Sequence, residues 1–460
     1  MQPAMSTQRV EILGDTMRRL ARRGARRNLS RVLSKVRPGD VSAALRKLMP
    51  TEQLFVVRLA LEDYPDSAGE VLLELEPGER RPLLEELTPA EIAGLLAPLA
   101  VDDSVEIVDG LEDELREAVM ALLDRPDRDE LQTQFAYEED TAGRIMNTEF
   151  FSLPEDTPVG DAIAKIREHG EVEMIFYLYV VDPEGRLAGV LSLRELLLSV
   201  PSRTLGEIMN RGLVTAHTDT DQEEVARLAS RYDFLAVPVV DDRRRLLGLV
   251  TVDDVIDIVQ EEAEEDFYKM VGTSDDELLY RERSWRVAGI RLPWLLVNLI
   301  GLTLTGVLMK QFQLRLNEAF LLAFAPVVMG MGGNIGSQTM TLTVRGLATG
   351  RIGEGGGRMR RFLMQQIRIG LVVGLVCSAV AAGVAAFLEQ NPAYSAVVAS
   401  SLFLAIMLAS LIGSLLPMAF ERMGIDPAVA SGPMVTTSSD ITGILVYFGL
   451  ATLMIDWLVR

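Results

Sequence analysis

Apolar positions keep three different rhythms along this chain. From residue 50 to about residue 123 they recur in short clusters at helical spacing, as in residues 70–75, 81–87 and 91–96, which predicts a series of short amphipathic helices. One of these has a readable start, with Thr88 as N-cap, Pro89 at the first helical position and Glu91 placed to close a capping box. Stacked helices of this kind form a superhelical layer that braces or binds another domain, and they carry no visible chemistry. From about residue 138 to residue 259 strand patterns alternate with helical ones, and the chain repeats itself. Ile145-Met146 returns as Ile208-Met209, and residues 181–190 return as residues 240–249, each unit reading as strand, turn, strand and helix. From residue 292 onward, uncharged runs occupy 292–309, 319–344, 369–388, 390–420 and, with one exception, 427–455. Each is long enough to cross a bilayer, so five membrane helices are predicted.

Charge sharpens this division. The formal net charge of −21 belongs mainly to the part before the apolar runs; an acidic surface of that size disfavours nucleic acid as a partner and favours cations. No signal-peptide pattern opens the chain, because the first fifty residues are studded with arginine and lack an apolar core. The N-terminal domains are therefore expected in the cytoplasm. The loop between the second and third apolar runs carries Arg345, Arg351, Arg358, Arg360 and Arg361, which places it on the same side and the C-terminal Arg460 outside. Cys377 is the single cysteine and lies inside the third run, so neither an intrachain disulfide nor a thiolate cluster is available. His169 and His217 are too few and too scattered for the usual zinc site. The Arg-rich opening stretch fits a surface for acidic lipid or nucleic acid, or a solvated helix face.

The exception in the fifth run is Asp440, close to its middle. A carboxylate near the bilayer midplane costs a few kcal/mol unless it faces water, a counter-charge or an ion. Thr436, Thr437, Ser438, Ser439 and Thr442 put hydroxyls beside it, and Gly432 and Gly443 allow close backbone approach. That is a hydrophilic path for a cation or, alternatively, a polar face buried between packed helices. In the second run, Pro326 and Gly330, Gly332, Gly333 and Gly336 are expected to loosen the helix in mid-membrane. Asn334 and Gln338, four residues apart, share a face there that either pairs with the Asp440 segment or accompanies tight small-residue packing.

A third signal is acidic. Asp253, Asp254, Asp257, Glu261, Glu262, Glu264, Glu265 and Asp266 follow one another with no basic residue until Lys269. Two carboxylates about 6 Å apart repel by roughly 3 kcal/mol at an effective dielectric of 20, before screening. The run is either a solvated helix face or a device that a divalent cation draws together, since Mg²⁺ and Ca²⁺ both take oxygen ligands. Its position between the repeats and the first apolar run would pass that movement to the membrane.

Two resemblances give these patterns names. Residues 138–259 resemble a tandem pair of CBS repeats, modules that commonly sense adenine nucleotides or ions. The resemblance implies a ribose-holding Ser/Thr and Asp at the strand-to-helix turn, matched by Thr251 and Asp254 in the second copy; the first copy has Ser192 with Glu195 in place of Asp. A purely structural turn fits these residues as well. The proline-led segment 326–338, the Thr/Ser-rich segment ending Asp440-Ile441-Thr442-Gly443, the preceding Asp426-Pro427, the CBS pair, the acidic connector and the helical N-terminal part together resemble the MgtE family of magnesium channels and transporters. That resemblance implies a homodimer whose pore is built from the second and fifth spans of both subunits. Asp440 would recognise hydrated Mg²⁺, with Asp426, Asn334 and Gln338 lining the path. The acidic helix would be a gating plug with Asp253, Asp254, Asp257, Glu262, Glu265 and Asp266 as regulatory Mg²⁺ ligands, and Glu264 as an additional acid.

The expected fold class is multidomain. It comprises a basic extension (1–48), an all-α superhelical N domain (49–135), an α/β CBS pair (136–260), an acidic connecting helix (261–285) and a five-helix membrane domain (286–460). The expected function is Mg²⁺ uptake through a channel closed by cytosolic Mg²⁺, in a bilayer that would be the inner membrane, with an adenine nucleotide such as ATP as a further ligand of the CBS pair. An ion-coupled divalent-cation carrier and a membrane-anchored nucleotide sensor are the alternatives. An enzyme is not expected, because no phosphate-binding glycine loop and no nucleophile paired with a base is present.

Overall fold

The computed structural model describes residues 7–168, 176–274, 284–316, 319–352, 356–430 and 432–454. Expectations that fall on His169, on connector residues 275–283, on Ser431 and on Arg460 lie outside these residues. The chain divides into two compact units, Met1–Glu262 and Ala263–Arg460.

The first unit opens with the helices α1 (Thr7–Arg22), α2 (Arg26–Leu33), α3 (Pro38–Leu45), α4 (Pro50–Asp63), α5 (Pro65–Leu73), α6 (Pro77–Glu85), α7 (Pro89–Leu96), α8 (Val101–Asp109), α9 (Asp113–Met120) and α10 (Arg125–Gln134). Each of α3 to α7 begins on a proline, whose fixed φ suits the first turn and whose missing N–H costs nothing there. The capping box expected at Thr88 is present: Glu91 N donates to Thr88 Oγ1 at 3.2 Å and Thr88 N donates to Glu91 at 2.8 Å. The third-position glutamates do a second job. Arg22 Nε donates to Glu52 (2.6 Å), Arg46 Nε to Glu79 (2.8 Å) and Arg58 Nε to Glu91 (2.8 Å), each arginine thirty to thirty-three residues upstream. One carboxylate therefore closes its own helix and ties it to an earlier helix of the stack. The apolar faces meet in a single core in which Leu13, Met17, Leu29 and Leu33 join Ile92, Leu95 and Ile107. The Arg-rich opening stretch thus contributes its first two helices to this layer, and burying Met17 or Leu29 completely stabilises it by roughly 1.5–3 kcal/mol each.

The repeats follow as α11 (Ala142–Ile145), β1 (Ser152–Pro154), α12 (Val159–Glu168), β2 (Tyr177–Val181), β3 (Leu187–Ser192) and α13 (Leu193–Leu198), then α14 (Leu205–Ile208), β4 (Ala216–His217), α15 (Gln222–Tyr232), β5 (Ala236–Val240) and β6 (Leu246–Thr251). Each copy is a three-stranded sheet, one parallel and one antiparallel pair, in the order β1-β2-β3 or β4-β5-β6. The repeated Met explains why the motif repeats. Met209 presses on Gly189 of the first copy and Met146 presses on Gly248 of the second, so each copy's Met is seated on the glycine of the other. Either glycine given a Cβ would meet the methionine at under 3 Å. The turn before β3 is held by Asp182 accepting from Glu184 N and Arg186 N, and Asp241 does the same with Arg243 N and Arg245 N.

From β6 the chain enters α16 (Val252–Val271), one continuous helix that carries the acidic run and contains the boundary between the units. The second unit adds α17 (Ser284–Leu316), α18 (Ala319–Ala348), α19 (Gly356–Glu389), α20 (Pro392–Arg422), a 3-10 turn (Pro427–Ala430) and α21 (Gly432–Leu453). The five α-helices from α17 to α21 are long and apolar enough to cross a membrane. Helix α20 is the centre of the bundle, with Val397, Leu402, Ile406 and Ala409 fully buried against its neighbours. The expected loosening of the second span does not occur, since α18 runs unbroken through Pro326 and all four glycines. Of these, Gly336 instead lets helices approach. A Cβ on Gly336 would lie 2.8 Å from Ser439 Oγ and 3.0 Å from Val435, and one on Gly413 would lie 2.4 Å from the Gly336 carbonyl.

Candidate functional site

Close approach of α18 and α21 leaves a cavity of about 480 Å³ beside the midpoint of both helices, whose polar wall is Asn334, Ser337, Thr436 and Asp440. Gly330 and Gly333 supply the missing side chains that keep it open: nothing would meet a Cβ on Gly330, and one on Gly333 would stand 3.3 Å from Thr436 and 3.7 Å from Asp440 Oδ1. Asp440 is 7 % exposed. Among the described residues, no basic side chain lies near enough to influence it. Hydroxyls surround it, with Ser337 Oγ 3.4 Å from Thr436 Oγ1, and the buried Ser439 Oγ without a hydrogen-bond partner among the described residues. Of the expected lining residues, Asn334 reaches this cavity, and Gln338 is exposed one turn further along the same face. Asp426 does not line it. One of its oxygens caps the 3-10 turn through Ala428 N (2.8 Å) and the other accepts from Lys269 Nζ (2.8 Å). Asn298 on α17, absent from the sequence reading, accepts from Thr437 Oγ1 at 3.3 Å where Gly301 lets α17 close on α21.

The first unit holds the second candidate site, an acidic joint between α8 and the first half of α16. Asp102 and Asp103 lie within electrostatic reach of Asp254, and Glu106 within reach of Asp257 and Glu261. Burial first, and then these like charges, push Asp103 up to about 7 and Glu261 up to about 7. Burial also raises Asp254 to about 6 against the pull of its Thr251 hydrogen bond. Burial raises Asp102 as well, and its Oδ1 is shut off from solvent with no hydrogen-bond partner among the described residues. Arg80 is the buried counter-charge at the edge of the joint, 2.7 Å from Glu106. No three carboxylates among the described residues are drawn tightly enough to hold a metal ion as they stand. Apart from Arg80 at the edge, charges of one sign are thus packed close. Sequence reasoning missed Asp102, Asp103 and Glu106, because two acids in the first turn of a helix read as ordinary dipole partners. The expected regulatory residues separate further along α16: Glu262 accepts from Gln222 Nε2 (2.7 Å), whereas Glu265 pairs with Lys269 at 2.6 Å.

The two residues matched to a ribose contact sit at the expected strand-to-helix turn. Asp254 Oδ2 accepts from Thr251 N (3.1 Å) and Thr251 Oγ1 (2.5 Å), and Glu195 accepts from Ser192 N (3.0 Å) and Oγ (2.8 Å) in the first copy. In the first copy this is a capping box with Ser192 as N-cap and Glu195 at the third helical position, and Thr251 and Asp254 make the same pair of bonds, a structural role that uses Asp254 Oδ2.

Known proteins share this arrangement in order. The profile of the divalent cation transporter family MgtE matches residues 325–450, the MgtE intracellular N domain matches residues 36–140, and the CBS domain matches residues 142–202 and 205–261. The magnesium transporter MgtE of Thermus thermophilus is 36% identical over 455 residues, covering 97% of this chain and 99% of the relative. That of Bacillus subtilis is 33% identical over 440 residues, covering 95% and 96%. A crystal structure of the cytosolic domain of the Mg²⁺ channel MgtE in complex with ATP is similar with a TM-score of 0.50 and 38% identity, over 53% of this chain and 99% of that one. With relatives aligned over almost the whole length, and a carboxylate-bearing cavity in the matched membrane region, the chain belongs to the MgtE family of magnesium transporters.

Proposed function

We propose that this chain is a Mg²⁺ channel in which the ion passes along the α18–α21 cavity beside Asp440 and in which cytosolic Mg²⁺ closes the path through the acidic joint. The observation that carries the first half is a buried carboxylate in an apolar, membrane-length helix with no cationic partner near it among the described residues. Such a group is tolerated where an ion or water compensates it. The size of the cavity supports a hydrated ion: six waters at about 30 Å³ each occupy less than half of it, and Mg²⁺ gives up its waters reluctantly. Asp440 would then attract the hydrated ion as a point charge, while Asn334, Ser337 and Thr436 receive the waters as hydrogen-bond partners. Exposed Asn334 and Gln338 on one face of a membrane helix need covering, which supports a homodimer with the second copy, or the water column between copies, against that face.

The joint supports the second half. Metal-free, its carboxylates repel across α8 and α16; a divalent ion bound through waters or after small side-chain movements would offset several at once. Asp102, Asp103, Asp254 and Asp257 are the residues best placed for this, and Asp253, Glu262 and Asp266 extend the same helix. For an adenine nucleotide, Thr251 and the free Oδ1 of Asp254 fit a ribose hydroxyl. The basic loop at Arg345 to Arg361 and the N-terminal unit are assigned to the cytoplasm, with the C-terminus outside. The test is Mg²⁺ flux into liposomes without any Na⁺ or H⁺ gradient, together with growth of a Mg²⁺-uptake-deficient cell. Flux that requires either gradient would point to a coupled carrier, and no flux at all to a sensor.

A further inference from the structure

The end of α16 is fastened to the start of α21 by a cation that belongs to the protein. Lys269 Nζ lies 2.6 Å from Glu265 and 2.8 Å from Asp426, about one-third exposed. Asp426 is aimed rigidly, because its other oxygen caps the 3-10 turn that leads into α21. Around the ion pair the fit is close. A Cβ on Gly432 would stand 2.9 Å from the Met270 carbonyl, and Gly272, at φ +76, turns the chain against Pro433 and Trp294. Met270 packs on the cluster that includes Val435, the residue before the cavity-lining Thr436.

We propose that the Lys269 ammonium is a resident cation latching the end of α16 onto the entrance of α21, so that closure at this point needs no bound metal. Two carboxylates converging on one position resemble half of a divalent site, and here an ammonium with three donors already fills it. A lysine ammonium is charged throughout the physiological pH range, and this one is bonded to both Asp426 and Glu265. Glu265 and Asp426, which the resemblance placed among sensor and lining ligands, are thereby occupied. Mg²⁺ sensing falls to the joint in the first unit, and the latch sets how much Mg²⁺ the joint needs.

This inference deepens the gating reading and rests on it for its direction, but the latch has its own readout. Amide hydrogen exchange over residues 268–272 in Mg²⁺-free buffer should be slow, and Lys269→Gln should speed it several-fold; an unchanged rate overturns the latch whatever the flux does. In liposomes Lys269→Gln should leave maximal flux intact and raise the Mg²⁺ concentration for half-closure by roughly three- to fivefold, while Lys269→Arg restores the wild-type value. Asp426→Asn should give the same shift, and the double variant no more than either. An unmoved midpoint, additive shifts, or a midpoint that falls would each overturn it, the last by showing that Lys269 keeps Mg²⁺ off its own ligands. If wild-type flux ignores Mg²⁺ while Lys269→Gln still speeds the exchange, the gating reading fails and the latch stands.

Discussion

Glu52 and Glu91 in the helical layer and Asp103 and Asp254 in the acidic joint are carboxylates of the same unit under opposite electrostatics. A backbone bond from Met49 and the Arg22 guanidinium hold Glu52 below the ordinary carboxylate range. Burial works against the charge on Glu91, but the bonds from Thr88 and Arg58 outweigh it and hold Glu91 low too. In the joint, burial and like charge drive the carboxylates up. The difference lies first in burial, which is deep in the joint, and then in the capping bonds and the arginine thirty or so residues upstream that only the scaffold acids receive. Where the arginine is present, the acid is part of the scaffold; in the joint Arg80 reaches only Glu106 at the edge, and on the proposed reading an outside cation offsets the remaining acids. Asp440 is a third case, a buried carboxylate in an apolar helix with neither a basic partner nor a second acid beside it among the described residues.

The largest test of that contrast is on the solitary acid. Asp440→Ala should lower Mg²⁺ flux in liposomes at least a hundredfold while the protein still purifies folded, because the change removes an expensive group and no packing. Wild-type flux in that variant would remove Asp440 from the ion path. Next come the joint acids: Asp102→Asn with Asp103→Asn should raise the metal-free melting temperature by relieving repulsion and reduce the gain in melting temperature that Mg²⁺ confers on the wild type. A lower metal-free melting temperature would mean that these acids already have partners. A scaffold change should do neither. Arg58→Met should destabilise the unit by about 1 kcal/mol in urea melts and leave the Mg²⁺ midpoint in flux assays where it was.

The smallest effect is on pH. Carboxylates with depressed folded pKa values contribute stability that is present above the unfolded value and lost as pH falls through the folded one. For Glu52 and Glu91 the loss should begin below about pH 4.5 and should flatten in Arg22→Met with Arg58→Met, measured by urea melts in metal-free buffer. A slope unchanged by those substitutions would mean that the clamps do not titrate with folding.

Much of this was legible in residue order, and the exceptions share a cause. Repeated Ile-Met pairs, the Thr88 cap and the five apolar runs are local patterns, and local geometry follows from them. Asp440 announced itself because a charge in a membrane span contrasts with everything near it. The glycines of α18 misled, since the same residues that weaken an isolated helix also let two helices touch, and only the partner surface of Val435 and Ser439 decides between those outcomes. Asp102 and Asp103 were invisible for a related reason: their neighbours are on α16, some 150 residues away, and nothing in the α8 sequence distinguishes a solvated acid from a confined one. Lys269 read merely as the end of an acidic run, although its partner Asp426 was already marked.

The claim that the acidic joint governs the path past Asp440 is tested most directly by titrating one reconstituted protein with Mg²⁺ and following both flux and protease protection of α16. Wild type should lose flux and gain protection over the same Mg²⁺ range, and a variant with Asp102, Asp103, Asp254 and Asp257 changed to Asn should conduct at every concentration and stay unprotected. An unchanged Mg²⁺ response in that variant would contradict the account and place the sensor elsewhere.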